Sequence, residues 1–165
     1  MKKKTKKTID IVLEADYKDL INIFIEEKVQ FLLIGGYAVG LHGHPRPTKD
    51  LDLWVYANAK NAPLVVKSLK KFGAPMQDIS AEDFEKEGTV FQIGVAPVRI
   101  DVITRVTGVK FEDAIQNAKI MKIEELNIPT ISLQDLITNK KASGRHRDLD
   151  DLASLEKILE REQKV

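Results

Sequence analysis

Two aspartates at alternate positions, Asp50 and Asp52, are the side chains best suited to chemistry in this sequence. They stand in an alternating run that continues through Leu51 and Leu53 to Val55, which is typical of a strand. Alternate side chains of a strand share a face, so the two carboxylates lie about 7 Å apart, at roughly 3.3 Å per residue. Like charges this close repel each other, and a divalent cation between them would remove the repulsion. The pattern therefore predicts a metal site on this strand.

A double glycine, Gly35-Gly36, stands just before this strand in the chain. It follows the apolar run Phe31–Ile34 and precedes a short apolar segment, 37–42, which we predict to be helical. Glycine allows a sharp turn from strand to helix and lets a bulky anion approach the main chain. The free N–H groups and the dipole at a helix N-terminus favour phosphate. We therefore expect a phosphate cradle beside the two aspartates.

The combined pattern resembles the signature of the DNA polymerase beta-type nucleotidyltransferase superfamily. That signature is Gly-Gly or Gly-Ser, about a dozen residues, and Asp-x-Asp in a strand; here thirteen residues separate Gly36 from Asp50. With Arg46, Thr48 and Lys49 ahead of the aspartates, the stretch is similar to small lincosamide and aminoglycoside adenylyltransferases. It is also similar to abortive-infection type nucleotidyltransferase toxins. Many relatives have serine where this chain has Gly36, so backbone N–H groups must make the phosphate contact here.

The resemblance implies metal-dependent transfer of a nucleoside monophosphate from a nucleoside triphosphate to an acceptor hydroxyl, with release of pyrophosphate. It also implies a third carboxylate on a neighbouring strand, and Asp101 in the apolar run 98–104 is the candidate. Asp50, Asp52 and Asp101 are then the catalytic and metal-binding residues, with Mg²⁺ or Mn²⁺ as the cofactor. Asp101 would help to hold a second metal ion or take the acceptor's proton. Arg99 shares the predicted face of Asp101 and could instead simply neutralise it.

The resemblance further implies nucleotide-binding residues in the glycine turn, in the loop before the aspartates and near the C-terminus. These are Gly35, Gly36, Tyr37, Arg46, Thr48, Lys49 and Lys140. His42 and His44 are not assigned as metal ligands, because Mg²⁺ prefers oxygen to imidazole.

The basic segment 139–148 is similar to the C-terminal motif of the abortive-infection type enzymes. In that motif a helical lysine approaches the nucleotide, and an Arg-Asp pair opens the next helix. Lys140 is the best match, and Lys141 stays an alternative because adjacent helical residues face different directions. We expect Asp148 to cap the last helix rather than to bind metal.

Hydrophobic periodicity and turn residues predict alternating strands and helices. Strands are predicted at 31–34, 50–55, 89–95 and 98–104, with edge strands at 120–123 and 128–131. Helices are predicted at 15–28, 37–42, from Asn58 or Asn61 to Phe72, and at 80–86, 111–118, 133–141 and 147–160. The order implies an α/β (α+β) class, and with the resemblance a nucleotidyltransferase fold, in which helices flank a mixed β-sheet.

The 165 residues suit one domain with a real core, so we expect a single nucleotidyltransferase domain over 1–165. Residues 1–8 are predicted to be a disordered basic tail. The sequence has no cysteine, which excludes disulfides and thiolate metal ligands and favours a cytoplasmic setting. No apolar run is long enough to span a membrane. A net charge of +1 gives no general signal for nucleic-acid binding.

The expected partners are a nucleoside triphosphate and an acceptor, which the sequence leaves open between a small molecule, tRNA and a protein. A protein partner or a homodimer also stays open. The alternative function is a nucleotide-binding regulatory or toxin–antitoxin component that acts through a protein partner. Intact Asp50, Asp52 and Asp101 favour the enzyme.

Overall fold

The computed structural model describes residues 11–164, so the predicted basic tail of residues 1–8 lies outside the described part. The strands are β1 (Phe31–Ile34), β2 (Asp50–Val55), β3 (Val90–Val95), β4 (Val98–Ile103), β5 (Lys119–Ile123) and β6 (Leu126–Thr130). The helices are α1 (Ala15–Glu26), α2 (Gly35–Leu41), α3 (Ala62–Phe72), α4 (Ala81–Glu85), α5 (Phe111–Asn117), α6 (Leu133–Ser143) and α7 (His146–Gln163).

The six strands form one mixed sheet in the order β3-β4-β2-β1-β6-β5. β2 pairs with β4 and β1 with β6 in parallel, while the other neighbours are antiparallel. The predicted fold class, a mixed sheet flanked by helices, is therefore confirmed. The prediction that both C-terminal strands are edges is wrong for β6, which lies between β1 and β5. The amide of Ile131 donates to the carbonyl of Leu33 at 3.1 Å, which helps to fix β6 beside β1.

Both faces of the sheet are covered by helices, and the alternation in β2 decides which residues face which layer. Leu51, Leu53 and Val55 belong to a core formed with α1, α3 and α4. Trp54 points to the other face, where its ring packs edge-on against Phe111 of α5 at a centroid distance of 5.1 Å. The leucines therefore face a core as predicted, and the aspartates lie on the face of Trp54.

The turn after β1 is tighter than the sequence pattern suggests. α2 begins at Gly35 itself, not at Tyr37, because Gly35 adopts a φ of +70° that lets the chain turn immediately after the extended Ile34. The helix ends at Leu41. This places both glycines inside the first turn of α2, directly beside β2.

The face of the sheet that carries Trp54 is also packed by the two C-terminal helices. Leu136 and Ile137 of α6 and Leu155 of α7 are buried in the second core cluster. Gly144, in the left-handed conformation at φ +64°, ends α6 and allows the chain to reverse into α7. Among residues 11–164, no helix combines the length and the apolar character needed to cross a membrane.

Candidate active site

The three predicted carboxylates meet on one face of two neighbouring strands. In the parallel register of β2 and β4, Asp52 stands beside Asp101 and Asp50 stands beside Arg99. All four side chains line a cavity of about 700 Å³. The cavity is also lined by Gly35, Gly36, Arg46, Thr48 and Lys140, so most of the predicted nucleotide-binding residues come together here.

Asp52 is the carboxylate with the least compensation. Within residues 11–164 it makes no ion pair and accepts no hydrogen bond. Its pKa is raised to about 6; burial is the largest cause, the charges of Asp101 and Asp50 contribute to the rise, and Lys140 and Arg99 oppose it by less. Folding therefore costs free energy when Asp52 is charged, as the repulsion expected between neighbouring aspartates suggested.

The two glycines make room for side chains of the site. A β-carbon at Gly35 would collide with the carboxylate of Asp52, and one at Gly36 would lie 2.5 Å from Thr48 Oγ1. From the sequence, we expected these glycines to let an anion approach the main chain. The geometry adds a second reason for glycine here, because the carboxylate of Asp52 and the hydroxyl of Thr48 leave no room for a β-carbon in the first turn of α2.

Arg99 joins two of the three carboxylates. Its Nη2 donates to Asp50 Oδ2 at 2.9 Å and to Asp101 Oδ2 at 3.2 Å, and its Nε lies 3.1 Å from Asp101 Oδ1. Burial raises the pKa of Asp101, and the charge and hydrogen bond of Arg99 oppose the rise only in part. The sequence alternative, that Arg99 neutralises Asp101, therefore describes a real contact.

The acid cluster suits a hard divalent cation by its donor chemistry. All three groups offer carboxylate oxygens, and Asp101 Oδ1 is buried without a hydrogen-bond partner. Between residues 11 and 164, no group of three or more carboxylate or imidazole side chains has an arrangement that could hold a metal ion. The guanidinium of Arg99 contacts both Asp50 and Asp101.

Lys140 and Arg46 line the cavity, but carboxylates of α7 already bind them. Lys140 Nζ lies 2.9 Å from Asp148 Oδ1 and 3.1 Å from Asp151 Oδ2, with only 5% of the residue exposed. Arg46 makes a two-pronged contact with Asp151, at 2.6 Å from Nε and 2.8 Å from Nη2. Arg145 completes this buried ion network at 2.8 Å from Asp148.

The ion network has clear electrostatic consequences for its two aspartates, which are each 1% exposed. Burial raises the pKa of Asp151, but hydrogen bonds from Arg46 and Lys140 outweigh it and leave the pKa below its ordinary value. Burial and the partners Lys140 and Arg145 act on Asp148 in the same way, with the same net direction. Both aspartates are therefore held charged by their partners.

Two sequence expectations for this region are resolved. Lys140 is the buried lysine that reaches the cavity, whereas Lys141 pairs with Glu156 on the exposed surface. Asp148 does not cap α7: the cap position is Arg145, and Asp148 lies in the first turn and binds Lys140. From the first turn of α7, the Asp148 carboxylate reaches the buried ammonium group of Lys140, so it binds this cation instead of capping the helix.

Two predicted nucleotide-binding residues lie away from the cavity lining. The Tyr37 ring packs edge-on against Tyr17 at 5.8 Å, in the core on the opposite face of the sheet. Lys49 is exposed, and its carbonyl accepts a hydrogen bond from the Tyr17 hydroxyl at 3.2 Å. His42, which we did not assign as a metal ligand, bonds through Nε2 to the carbonyl of Ile131 at 2.7 Å.

Several cavity residues were missing from the predicted site. They are Arg105, Thr107, Asn139, Ser143, Arg145 and Arg147. Arg105 could have been found, because it continues the alternate positions of Arg99 and Asp101 just beyond β4. The residues after 139 lay in the recognised basic segment, but only the position of α7 shows which of them face the cavity.

Solved structures of similar fold are nucleotidyltransferases. LnuA, a lincosamide antibiotic adenylyltransferase in its lincomycin-bound form, has a TM-score of 0.59 and 16% identity, with 89% of this chain and 98% of that chain covered. ANT(2")-Ia in complex with adenylyl-2"-tobramycin has a TM-score of 0.61 and 13% identity, with 89% of each chain covered. TM1012 of Thermotoga maritima, provisionally assigned as a nucleotidyltransferase, has a TM-score of 0.56 and 12% identity, with 88% of this chain and 91% of that chain covered.

Identities this low establish the fold and nothing finer. No curated protein sequence matches this chain. A family model does, over residues 14–165, and the family is described as nucleotidyl transferase of unknown function, DUF2204. Because the match spans nearly the whole chain, including β2, β4 and the C-terminal helices, the chain belongs to this nucleotidyl transferase family.

Proposed function

We propose that the protein is a metal-dependent nucleotidyltransferase that moves a nucleoside monophosphate from a nucleoside triphosphate to an acceptor hydroxyl. One observation carries the proposal: Asp50, Asp52 and Asp101 converge from two adjacent parallel strands on a cavity that is also lined by cations. Arg99 compensates Asp50 and Asp101 only, and the raised pKa of Asp52 reflects the cost of placing a third carboxylate beside them.

Two arginines of the cavity suit a polyphosphate. Arg105 and Arg147 are exposed, line the cavity and make no ion pair within residues 11–164. Guanidinium groups bind phosphate oxygens through two parallel hydrogen bonds. Lys140 and Arg46 also line the cavity, although carboxylates hold their side chains. A triphosphate bound to the arginines, with metal on the aspartates, would complete the charge balance of the site.

The acid cluster would hold Mg²⁺ or Mn²⁺ through carboxylate oxygens. Asp50 and Asp52 would bind the ion that accompanies the nucleotide, and Asp101, beside Asp52 on β4, would help to hold a second one. Bound Mg²⁺ supplies charge neutralisation on the phosphates and lowers the pKa of the acceptor hydroxyl.

In the proposed reaction, the acceptor oxygen forms a bond to the α-phosphorus. The bond from that phosphorus to the bridging oxygen breaks, and its electron pair leaves with pyrophosphate. The acceptor's proton goes to Asp101 or to solvent. The protein's remaining work is positioning and electrostatic stabilisation.

ATP is the donor to test first. One of the similar structures, LnuA, is an adenylyltransferase by name, and that of ANT(2")-Ia holds adenylyl-2"-tobramycin. A small-molecule hydroxyl is accordingly the first acceptor to test, with tRNA and protein hydroxyls as the other candidates. Acceptor choice depends on loops that differ between relatives of one fold.

The decisive experiment is incubation with each α-labelled nucleoside triphosphate, Mg²⁺ or Mn²⁺, and separate pools of small molecules, tRNA and protein. We expect label to move to one pool, with release of pyrophosphate, and Asp52→Asn to abolish the transfer. Nucleotide binding without transfer to any pool would favour the regulatory alternative. Transfer that persists undiminished in Asp52→Asn would contradict the proposed site.

A further inference from the structure

Arg99 already supplies a positive charge to the acid cluster. It contacts Asp50 Oδ2 and both oxygens of Asp101, at 2.9 to 3.2 Å. A carboxylate has few lone pairs free to point into one cavity. The oxygens that face the guanidinium are therefore the ones that a divalent cation on this face would need.

The contact between Arg99 and Asp101 is incomplete. Asp101 is only 8% exposed, yet its Oδ1 has no hydrogen bond, and neither has Arg99 Nε, although the two atoms are 3.1 Å apart. Because this distance is short enough for a hydrogen bond, the angle at the N–H group must be unfavourable. A buried donor and a buried acceptor are left unsatisfied, which costs free energy and weakens the hold of the arginine.

Lys140, a buried cation of the cavity, is held by a different set of carboxylates. It lies within 3.1 Å of both Asp148 and Asp151, neither of which is a proposed metal ligand. Arg99 is different, because its only carboxylate partners within residues 11–164 are the proposed metal ligands. Its side chain is also 33% exposed and lines the cavity, which gives it room to move.

We propose that Arg99 competes with the divalent cation for the same carboxylate oxygens. In the metal-free protein Arg99 binds Asp50 and Asp101, and the cation displaces it when it binds. The guanidinium then leaves the two carboxylates and turns into the cavity. This inference rests on the proposed function, since it requires that the aspartates bind metal. It makes Arg99 a determinant of how tightly the site binds metal, and so of the metal concentration at which the site fills.

The test measures Mn²⁺ alone, without nucleotide, by the electron paramagnetic resonance signal of the free ion. Arg99→Gln removes the charge but keeps a polar side chain. Arg105→Gln is the matched control, because Arg105 lines the same cavity, lies just beyond the end of β4 and has no ion pair within residues 11–164. Arg99→Lys keeps the charge but cannot span both carboxylates with a planar fork.

We expect Arg99→Gln to lower the Kd for Mn²⁺ at least tenfold and Arg99→Lys to lower it less. Arg105→Gln should change the Kd less than threefold. Equal decreases of the Kd in Arg99→Gln and Arg105→Gln would show that only the net charge of the cavity matters, and would overturn the inference. An unchanged or higher Kd in Arg99→Gln would also overturn it. If Arg99→Gln does not fold, tighter binding by Arg99→Lys supports the inference and unchanged binding overturns it.

The same titration separates this inference from the proposed function. A parent protein that binds Mn²⁺ with an affinity insensitive to Arg99 overturns the inference alone. If neither the parent nor any of the variants binds Mn²⁺ alone, the inference fails, and the transfer assay with metal and nucleotide decides the proposed function separately. The matching signature in stability is a larger rise in the melting temperature on adding Mn²⁺ for Arg99→Gln than for the parent.

Discussion

At the scale of single residues, the three carboxylates of the site are not equivalent. Asp50 and Asp101 share Arg99, whereas Asp52 has no ion pair or hydrogen bond within residues 11–164. Asp52 also presses against Gly35, which could not carry a side chain there. Each substitution in this cluster should therefore have its own signature in stability.

Asp52→Asn should abolish transfer and stabilise the protein in the absence of metal. The pKa of Asp52 rises from an ordinary 3.8 to about 6 on folding, so the charged form is penalised by up to about 3 kcal/mol. The penalty is absent well below pH 4, where the carboxyl is protonated in both states, grows between about pH 4 and pH 6, and is complete above pH 6. Chemical denaturation at pH 8 and pH 4, with chelator, should show the variant more stable only at pH 8.

The matched control for that experiment is Asp50→Asn, which loses its contact with Arg99 and should gain no comparable stability. If Asp52→Asn unfolds at a clearly lower denaturant concentration than the parent at pH 8, Asp52 has a structural role and the interpretation of the site is wrong.

Asp101→Ala should damage transfer more than nucleotide binding. Asp101 lies on β4, one strand away from the aspartates that follow the glycine turn, so we expect it to meet the acceptor rather than the triphosphate. Loss of a group that acts in the transition state lowers turnover by about 10²–10⁴-fold and barely changes ground-state affinity. ATP affinity and transfer rate should be measured on one preparation, and transfer at the parent rate would remove Asp101 from the mechanism.

At the scale of elements, the buried ion network joins three pieces of chain that are distant in sequence. Arg46 comes from the loop before β2, Lys140 from α6, and Asp148 and Asp151 from α7. The network thus fixes the C-terminal helices over the cavity. Because its aspartates have lowered pKa values, its contribution to stability is present above about pH 4 and is lost as the pH falls.

Adjacent lysines of α6 allow a matched test of this network. Lys140→Met leaves Asp148 and Asp151 short of a buried partner and should lower the free energy of unfolding by about 3–5 kcal/mol. Lys141→Met breaks only an exposed pair with Glu156 and should cost less than about 1 kcal/mol. Urea denaturation at pH 7 measures both, and equal losses would show that the network does not stabilise the fold.

At the scale of the whole molecule, one cavity is lined by side chains of both charges. Asp50, Asp52 and Asp101 come from β2 and β4, whereas Arg105 lies just after β4 and Arg147 in α7. A triphosphate alone would be attracted by the arginines but repelled by the aspartates. Metal and nucleotide should therefore bind together.

ATP should stabilise the protein only when a divalent cation accompanies it. At a ligand concentration one hundred times the Kd, binding adds about 2.7 kcal/mol, or about 5–10 °C in melting temperature for a chain of this size. Thermal unfolding with ATP and chelator should show almost none of that shift. Asp52→Asn is the control, and an equal shift with chelator would contradict the metal-site argument.

The sequence predicted the local chemistry well because it depends on short-range periodicity. The alternation around Asp50 and Asp52 placed both on one face, and the apolar run around Asp101 identified its strand. Helix α3 ends at Phe72, before Gly73, as predicted, and Asn61, one of the two predicted cap residues, stands at its cap position without a capping hydrogen bond. These features need only a few neighbouring residues to be recognised.

The contacts that span the chain were not predictable in the same way. Arg46 looked like a phosphate ligand because nothing near it in sequence marks Asp151, 105 residues further on, as its partner. Tyr37 looked like part of the glycine turn, but the helix rotates its ring into the opposite core. In both cases tertiary packing, which a single sequence does not show, decides where the side chain goes.

Trp54 gives the molecule an intrinsic optical label. It is the only tryptophan in the chain, it is 1% exposed, and it shares a strand face with Asp50 and Asp52. At roughly 3.3 Å per residue, its backbone lies about 7 Å from that of Asp52. A paramagnetic ion on the aspartates would quench its fluorescence, and a diamagnetic one would not, so the emission of the unmodified protein can report when and with which ion the site fills.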